Sequence, residues 1–295
     1  MSRRILPRQT KPCAPHRAPA NRVVVYLQAL SDMERLPAGL PSLSAINLSS
    51  FHFGFRQGYP TVYLNDLEPD DPAYDKTWTL MQQAQRAGVK VNAMLGGARK
   101  AYTTLFEDYE TFYPMLRDML REFQFDGVDL GVEEVVAQDD IERLIADLRR
   151  DFPPAFLITA APVAQALWHG FDPLSHLVWL PLAGSIDWFN VQFYNGFGSL
   201  ANTRDYDAII AAGFDPAQIV GGALSSPRNG SGYVPIATVC RTLRTLAGRY
   251  DGLAGGAAGW EYAGANGPGE LGDPAAWAGA MQEAVEGRSV MHMRA

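Results

Sequence analysis

Strand-like and helix-like segments alternate from Arg22 to Glu286, and this alternation constrains the fold more than any other feature of the chain. Extended apolar runs fall at Arg22–Leu30, Leu43–Phe53, Val89–Leu95, Phe125–Glu133, Phe156–Ala161, Ile186–Tyr194, Gln218–Leu224 and Gly252–Trp260. A further short extended piece falls at Thr61–Asn65. Helical patterns separate most of these runs, at Ala73–Ala87, Asp108–Glu122, Asp139–Asp151, Tyr206–Ala212, Pro235–Arg249 and Pro274–Glu286. In the second helix Phe112, Met115, Leu116, Met119 and Leu120 recur at helical spacing. Strands each followed by a helix imply a parallel sheet. Eight such units fit the length of an α/β chain closed into a (β/α)8 TIM barrel. An open doubly wound sheet would usually carry a Gly-rich turn after its first strand. The residues after Leu30 read Ser-Asp-Met-Glu-Arg-Leu-Pro and contain no such turn. The expectation is a single barrel domain over residues 22–288, with a basic, Pro-rich tail at 1–21 and a short C-terminal tail at 289–295.

Composition narrows the function classes. A net charge of −7 argues against a general nucleic-acid binder, which is usually basic. Two cysteines, Cys13 and Cys240, make no disulfide framework, and neither they nor the five histidines show metal-ligand spacing. No cofactor is called for. No apolar run approaches the roughly 20 residues of a membrane helix. The first 21 residues carry basic side chains without an apolar stretch, so they do not read as a secretion signal. A cytoplasmic location, with no membrane partner, is the expectation.

The chemistry concentrates at Phe125-Asp-Gly-Val-Asp-Leu-Gly-Val-Glu-Glu134. On a strand, Asp129, Gly131 and Glu133 share one face, while Val128, Leu130 and Val132 share the other. A charge on the inner face of a core strand is unfavourable unless it is paired or functional. Glu133 ends the run and should reach the barrel mouth. Asp129 lies about 13 Å deeper, at roughly 3.3 Å per residue, which suits a buried supporting acid. Glu134 points the opposite way and reads as structural or paired with a helix residue. On Ile186–Tyr194 the same parity puts Asn190, Gln192 and Tyr194 on one face, which suggests a polar pocket. Tyr26 and Gln28 share a face of the first strand. Trp260 ends the last strand, where an indole can floor a flat, apolar sugar face. His52, His169 and His176 read as loop or satisfied core residues, and Ser225–Ser226 lacks a nucleophile elbow. The long stretch Pro162–Ser185, with Trp168 and Trp179, and the loop Ser225–Tyr233 follow strands. They therefore belong to the C-terminal face, where barrel active sites sit.

Asp126-Gly-Val-Asp-Leu-Gly-Val-Glu133 resembles the Asp-x-x-Asp-x-Asp-x-Glu signature of glycoside hydrolase family 18, the chitinases and endo-β-N-acetylglucosaminidases. Met-Leu-Gly96-Gly97 resembles the Gly-Gly end of that family's third strand. Asn190-Val-Gln-Phe-Tyr-Asn195 resembles its sixth strand, and Gly-Gly-Ala-Ala-Gly-Trp260 its eighth. The resemblance spans residues 22–286. It implies substrate-assisted hydrolysis of β-1,4-linked N-acetylglucosamine glycans, in which the 2-acetamido oxygen is the nucleophile. Glu133 would be the general acid, with Asp129 and Tyr194 completing the catalytic set. Tyr26, Gly97, Gly131, Gln192, Asn195 and Trp260 would line the sugar site. The ligand in the barrel mouth would be a carbohydrate or another small molecule.

One position departs from the signature. The carboxylate that orients the acetamido group is replaced by Gly131. Loss of such an electrostatic partner typically slows a reaction by about 10²–10³. Three readings follow: a glycosidase with weakened hydrolysis, a barrel repurposed for a non-glycan small molecule, and a glycan-binding protein without catalysis.

Overall fold

A computed structural model of the chain describes residues 21–28, 30, 33–97, 100–265 and 271–287. The tails expected at either end lie outside these residues, except Asn21, whose N–H donates to the Ala254 carbonyl at 3.0 Å.

Eight parallel strands close into a barrel: β1 (Arg22–Leu27), β2 (Ala45–Arg56), β4 (Lys90–Gly96), β5 (Gly127–Gly131), β6 (Leu157–Ala160), β7 (Trp188–Gln192), β8 (Ile219–Leu224) and β9 (Gly256–Trp260). Each pairs in parallel with the next, and β1 joins both β9 and β2, so no barrel edge is left open. The expected (β/α)8 fold is therefore present. The piece near Thr61 is β3 (Tyr59–Leu64), which pairs antiparallel with the outer half of β2. Gln57 and Gly58 make its turn with φ of +52° and +84°, the left-handed pair that a two-residue hairpin needs.

Around the barrel run α1 (Leu36–Gly39), α2 (Asp75–Arg86), α3 (Ala101–Glu107), α4 (Tyr109–Glu122), α5 (Gln138–Asp151), α6 (Ala164–His169), α7 (Arg204–Ala211), α8 (Ile236–Arg249) and α9 (Pro274–Val285). Their apolar stripes pack on the outward strand residues. On α5, Ile141, Leu144, Ile145 and Leu148 are all buried, each burial contributing about 1.5–3 kcal/mol. The sequence pattern had shown neither α3 nor α6, because both are short and lack a full apolar period. The stretch Pro162–Ser185 thus holds one helical turn and a half, followed by a 3-10 segment at Leu180–Ser185. Among the described residues, no helix is long and apolar enough to cross a membrane.

The barrel interior contains Val24, Tyr26, Ala45, Met94, Ala161, Trp188, Val220 and Ala258. At the N-terminal end of the strands the buried Arg22 guanidinium lies 4.6 Å from the Trp188 ring and donates to the Ala217 and Gly255 carbonyls. Burial lowers its pKa to about 10, although the charge of Asp187 opposes the shift.

Several strands are shorter than the sequence pattern suggests, and the changes at β5 and β7 place site residues. β5 stops at Gly131 because β4 ends at its partner Gly96, while β6 pairs no further than Leu130. β7 stops at Gln192. Glu133 and Tyr194 are therefore carried by chain just beyond their strands, at the C-terminal face.

Candidate active site

Asp129 sits on the inner face of β5, fully buried. Its Oδ2 accepts from the Tyr26 hydroxyl at 2.8 Å. Its Oδ1 accepts from Asn190 Nδ2 at 2.9 Å and from the Thr159 hydroxyl. Burial raises its pKa, and these three donors work against the rise. The carboxyl is thus a hub tying β1, β5, β6 and β7 together beneath the mouth. Asp126, the first acid of the signature, accepts instead from the Val91 N–H and from Lys90, below the site.

Above Asp129 lies a cavity of about 140 Å³ lined by Tyr26, Met94, Glu133, Ala161, Gln192, Tyr194, Asn195 and Trp260. Six of the residues singled out in the sequence meet here: Tyr26, Glu133, Gln192, Tyr194, Asn195 and Trp260. Gln192 Nε2 donates to Glu133 Oε1 at 3.2 Å and to the Ala161 carbonyl at 2.9 Å, so β6 fixes the amide that faces the acid. Loss of hydration among the cavity walls raises the Glu133 pKa, the Gln192 hydrogen bond opposes this, and the charge of Asp172 adds to it. Burial, followed by the charges of Glu133 and Asp129, raises the Tyr194 phenol, which therefore stays a neutral donor.

The walls are held by neighbouring loops. Tyr26 and Trp260 rings lie 5.5 Å apart at a tilt of 58°. The Trp260 carbonyl accepts from the Ser225 N–H and from Asn229 Nδ2, and Asn195 Oδ1 accepts from the Ser231 N–H at 2.9 Å. Asn195 thus positions the loop after β8 as well as lining the cavity.

Three residues expected in the site sit outside its lining. Asp129 is closed off below. Gly97 contributes its backbone, donating its N–H to the Gly131 carbonyl at 3.0 Å. Gly96 has φ +106°, and a Cβ there would meet that same carbonyl at 2.2 Å, so glycine is required. Gly131 leaves its side-chain space to Met94, whose Cε lies 2.3 Å from where a Cβ at 131 would stand.

Two contributors were not visible in the sequence pattern. Met94 reads as ordinary core from its strand. Asp172 lies in the long loop, buried, accepting from the Leu174 N–H and from Trp179 Nε1 at 2.9 Å each. The Val136 N–H donates to the Ser175 carbonyl, which draws this loop against the chain after Glu133. Glu134 accepts from the Tyr102 and Thr103 N–H groups at the start of α3, as its outward parity implied. His52 is held by the Asn65 carbonyl at 2.6 Å. No cluster of three metal-ligating side chains occurs among the described residues.

Together these features define a (β/α)8 barrel with one acid in a cleft at the C-terminal end of its strands. A profile of the glycosyl hydrolases family 18 matches residues 22–226, and the chain belongs to that family. A fungal endo-β-N-acetylglucosaminidase of this family superposes with a TM-score of 0.79 at 39% identity, covering 90% of this chain and 98% of that one. The chitinase ChiC of Aspergillus fumigatus superposes with a TM-score of 0.78 at 37% identity, covering 88% and 98%. Endochitinase 4 of Metarhizium anisopliae is 25% identical over a 154-residue alignment that covers 45% of this chain and 55% of that protein. The match thus spans about half the length of that curated relative.

Proposed function

We propose that this protein cleaves β-1,4-linked N-acetylglucosamine glycans slowly, with Glu133 as general acid. The observation that carries this reading is Glu133 itself, held by Gln192 at the mouth of a cleft whose walls raise its pKa. A protonated carboxyl can donate to the glycosidic oxygen as the bond breaks. The 2-acetamido oxygen of the substrate then attacks the anomeric carbon in place of an enzyme carboxylate. In this reading Tyr194 donates a hydrogen bond to the acetamido carbonyl and Trp260 underlies the sugar ring. Nothing at position 131 steadies the acetamido nitrogen as positive charge builds. On that ground turnover should fall about 10²–10³ below that of a site with the carboxylate. The names of the relatives, a chitinase and an endo-β-N-acetylglucosaminidase, support an N-acetylglucosamine glycan as the substrate class proposed here. Glycan binding without cleavage is the second reading, favoured by Met94 in the space of the orienting acid.

The test is hydrolysis of a fluorogenic chitobioside and of a high-mannose N-glycan, beside Glu133→Gln. Cleavage that disappears in Glu133→Gln, with oligosaccharide binding kept, supports the first reading. Binding without cleavage in the native protein supports the second, and absence of both removes the glycan assignment.

A further inference from the structure

On the outside of the barrel, between β3 and α4, lies a groove of about 370 Å³, apart from the catalytic cleft. One wall is the chain after β3, with Pro69 and Asp70, and the other is α4, with Met115 and Glu122. Phe123 lies at its lower end, its ring 4.3 Å from that of Trp78. The Trp78 indole N–H donates to the Pro69 carbonyl at 2.8 Å and so fixes the first wall. Four carboxylates border the groove. Glu68 is paired with Arg56, and Asp118 with Arg117 and Arg121. Asp70 and Glu122 are exposed and form no ion pair among the described residues. Two unpaired carboxylates on opposite walls of an apolar bed suit a segment that holds apolar residues between cations.

The chain carries such a segment itself. Residues 1–20 hold five basic side chains, Arg3, Arg4, Arg8, Lys11 and Arg17, and no acid. The whole chain has a net charge of −7, and removing the +5 of this tail leaves −12 on the rest. Within the tail, Ile5-Leu6-Pro7 stands between Arg3-Arg4 and Arg8. We propose that Arg3–Arg8 docks in this groove of its own chain, with Ile5, Leu6 and Pro7 on the apolar bed and the flanking guanidinium groups on Asp70 and Glu122. The reach is sufficient. Asn21 is fixed to Ala254 at the N-terminal end of the barrel, and α4 ends at Glu122, shortly before β5 starts, so the lower end of the groove lies at that same end. β1 and β5 are three steps apart around the barrel. That is a chord of about 33 Å at a radius of about 18 Å. The chain from Arg8 to Asn21 can extend over about 43 Å at roughly 3.3 Å per residue. This inference is independent of the glycan reading.

Limited trypsin digestion of the full chain, followed by mass spectrometry, tests the contact. Trypsin cuts after Arg8 and after Arg17, and the initial rate at Arg17, outside the docked segment, is the internal reference. The ratio of the Arg8 rate to the Arg17 rate should be at least about fivefold lower in the native chain than in Asp70→Asn/Glu122→Gln, because protease reaches only the undocked population. Sodium chloride at about 0.5 M should raise the native ratio, since it screens exposed charges. Leu6→Ser should raise it as well, which general attraction between a basic tail and an acidic body does not predict. Leu6→Ser leaves the barrel untouched, so the test stays decisive whatever the groove substitutions do to the fold. Equal ratios in the native chain, the groove variant and Leu6→Ser would overturn the docking. A native ratio that falls as the protein is concentrated from about 1 to about 50 μM would place the segment in the groove of a second copy and overturn the contact within one chain. None of these readouts uses glycan cleavage, so this inference and the glycan reading fail separately.

Discussion

At the scale of single residues, one acid meets two opposing neighbours. Gln192 stabilises the ionised form of Glu133, while the negative charge of Asp172 disfavours it. The proposed general acid would work only while protonated, so the proposed activity should fall as pH rises through its pKa. Asp172→Asn removes a like charge, lowers that pKa and should move the alkaline limb of kcat/KM to lower pH. A profile unchanged in Asp172→Asn, with melting temperature kept, would separate Asp172 from the acid. The inward set Asp129, Asn190 and Gln192 was legible in the sequence because strand parity is a local property. Asp172 was not, since its approach depends on how a long loop folds over the mouth. Met94 was hidden for another reason: a thioether on a core strand carries no mark of which neighbour it displaces.

At the scale of elements, the short segments that hold the site are the ones the pattern missed. α3 is only seven residues long, yet its first N–H groups at Tyr102 and Thr103 end on the Glu134 carboxylate, one residue after the acid. The hydroxyl of Thr103 donates to the same carboxylate. Glu134→Ala leaves these donors without their acceptor and should cost about 1–3 kcal/mol in urea denaturation. It should also lower turnover, because the chain carrying Glu133 loses an anchor. A loss under about 0.5 kcal/mol would mean that water replaces the carboxylate freely. The sequence marks β3 only as a short extended piece, because Gln57-Gly58 is a weaker turn signal than Asn-Gly or Asp-Gly and does not declare a hairpin with β2. Strand ends were overestimated at β5 and β7 for a physical reason: ladders stop where neighbours stop, and a single strand's sequence does not show its neighbours' length.

At the scale of the molecule, closure and chemistry sit at opposite ends of the barrel. The count of eight strand–helix units was enough to read the closed sheet, but not the residue that plugs its floor. Arg22 does this, through the Ala217 and Gly255 carbonyls and the face of Trp188. Arg22→Ala should destabilise the fold by about 2–4 kcal/mol, from lost hydrogen bonds and lost ring contact. Chitotetraose affinity of the folded protein should be unchanged; a parallel loss of affinity would show that floor and mouth are coupled.

The approach of Met94 to Gly131 also gives mutational history a direction. Trimming residue 94 first leaves a small void and no collision, whereas adding a side chain at 131 first creates one. A library randomised at codon 131 alone, set beside one randomised at both codons and selected for the proposed glycan cleavage, would read how far the flexible Met94 methyl gives way.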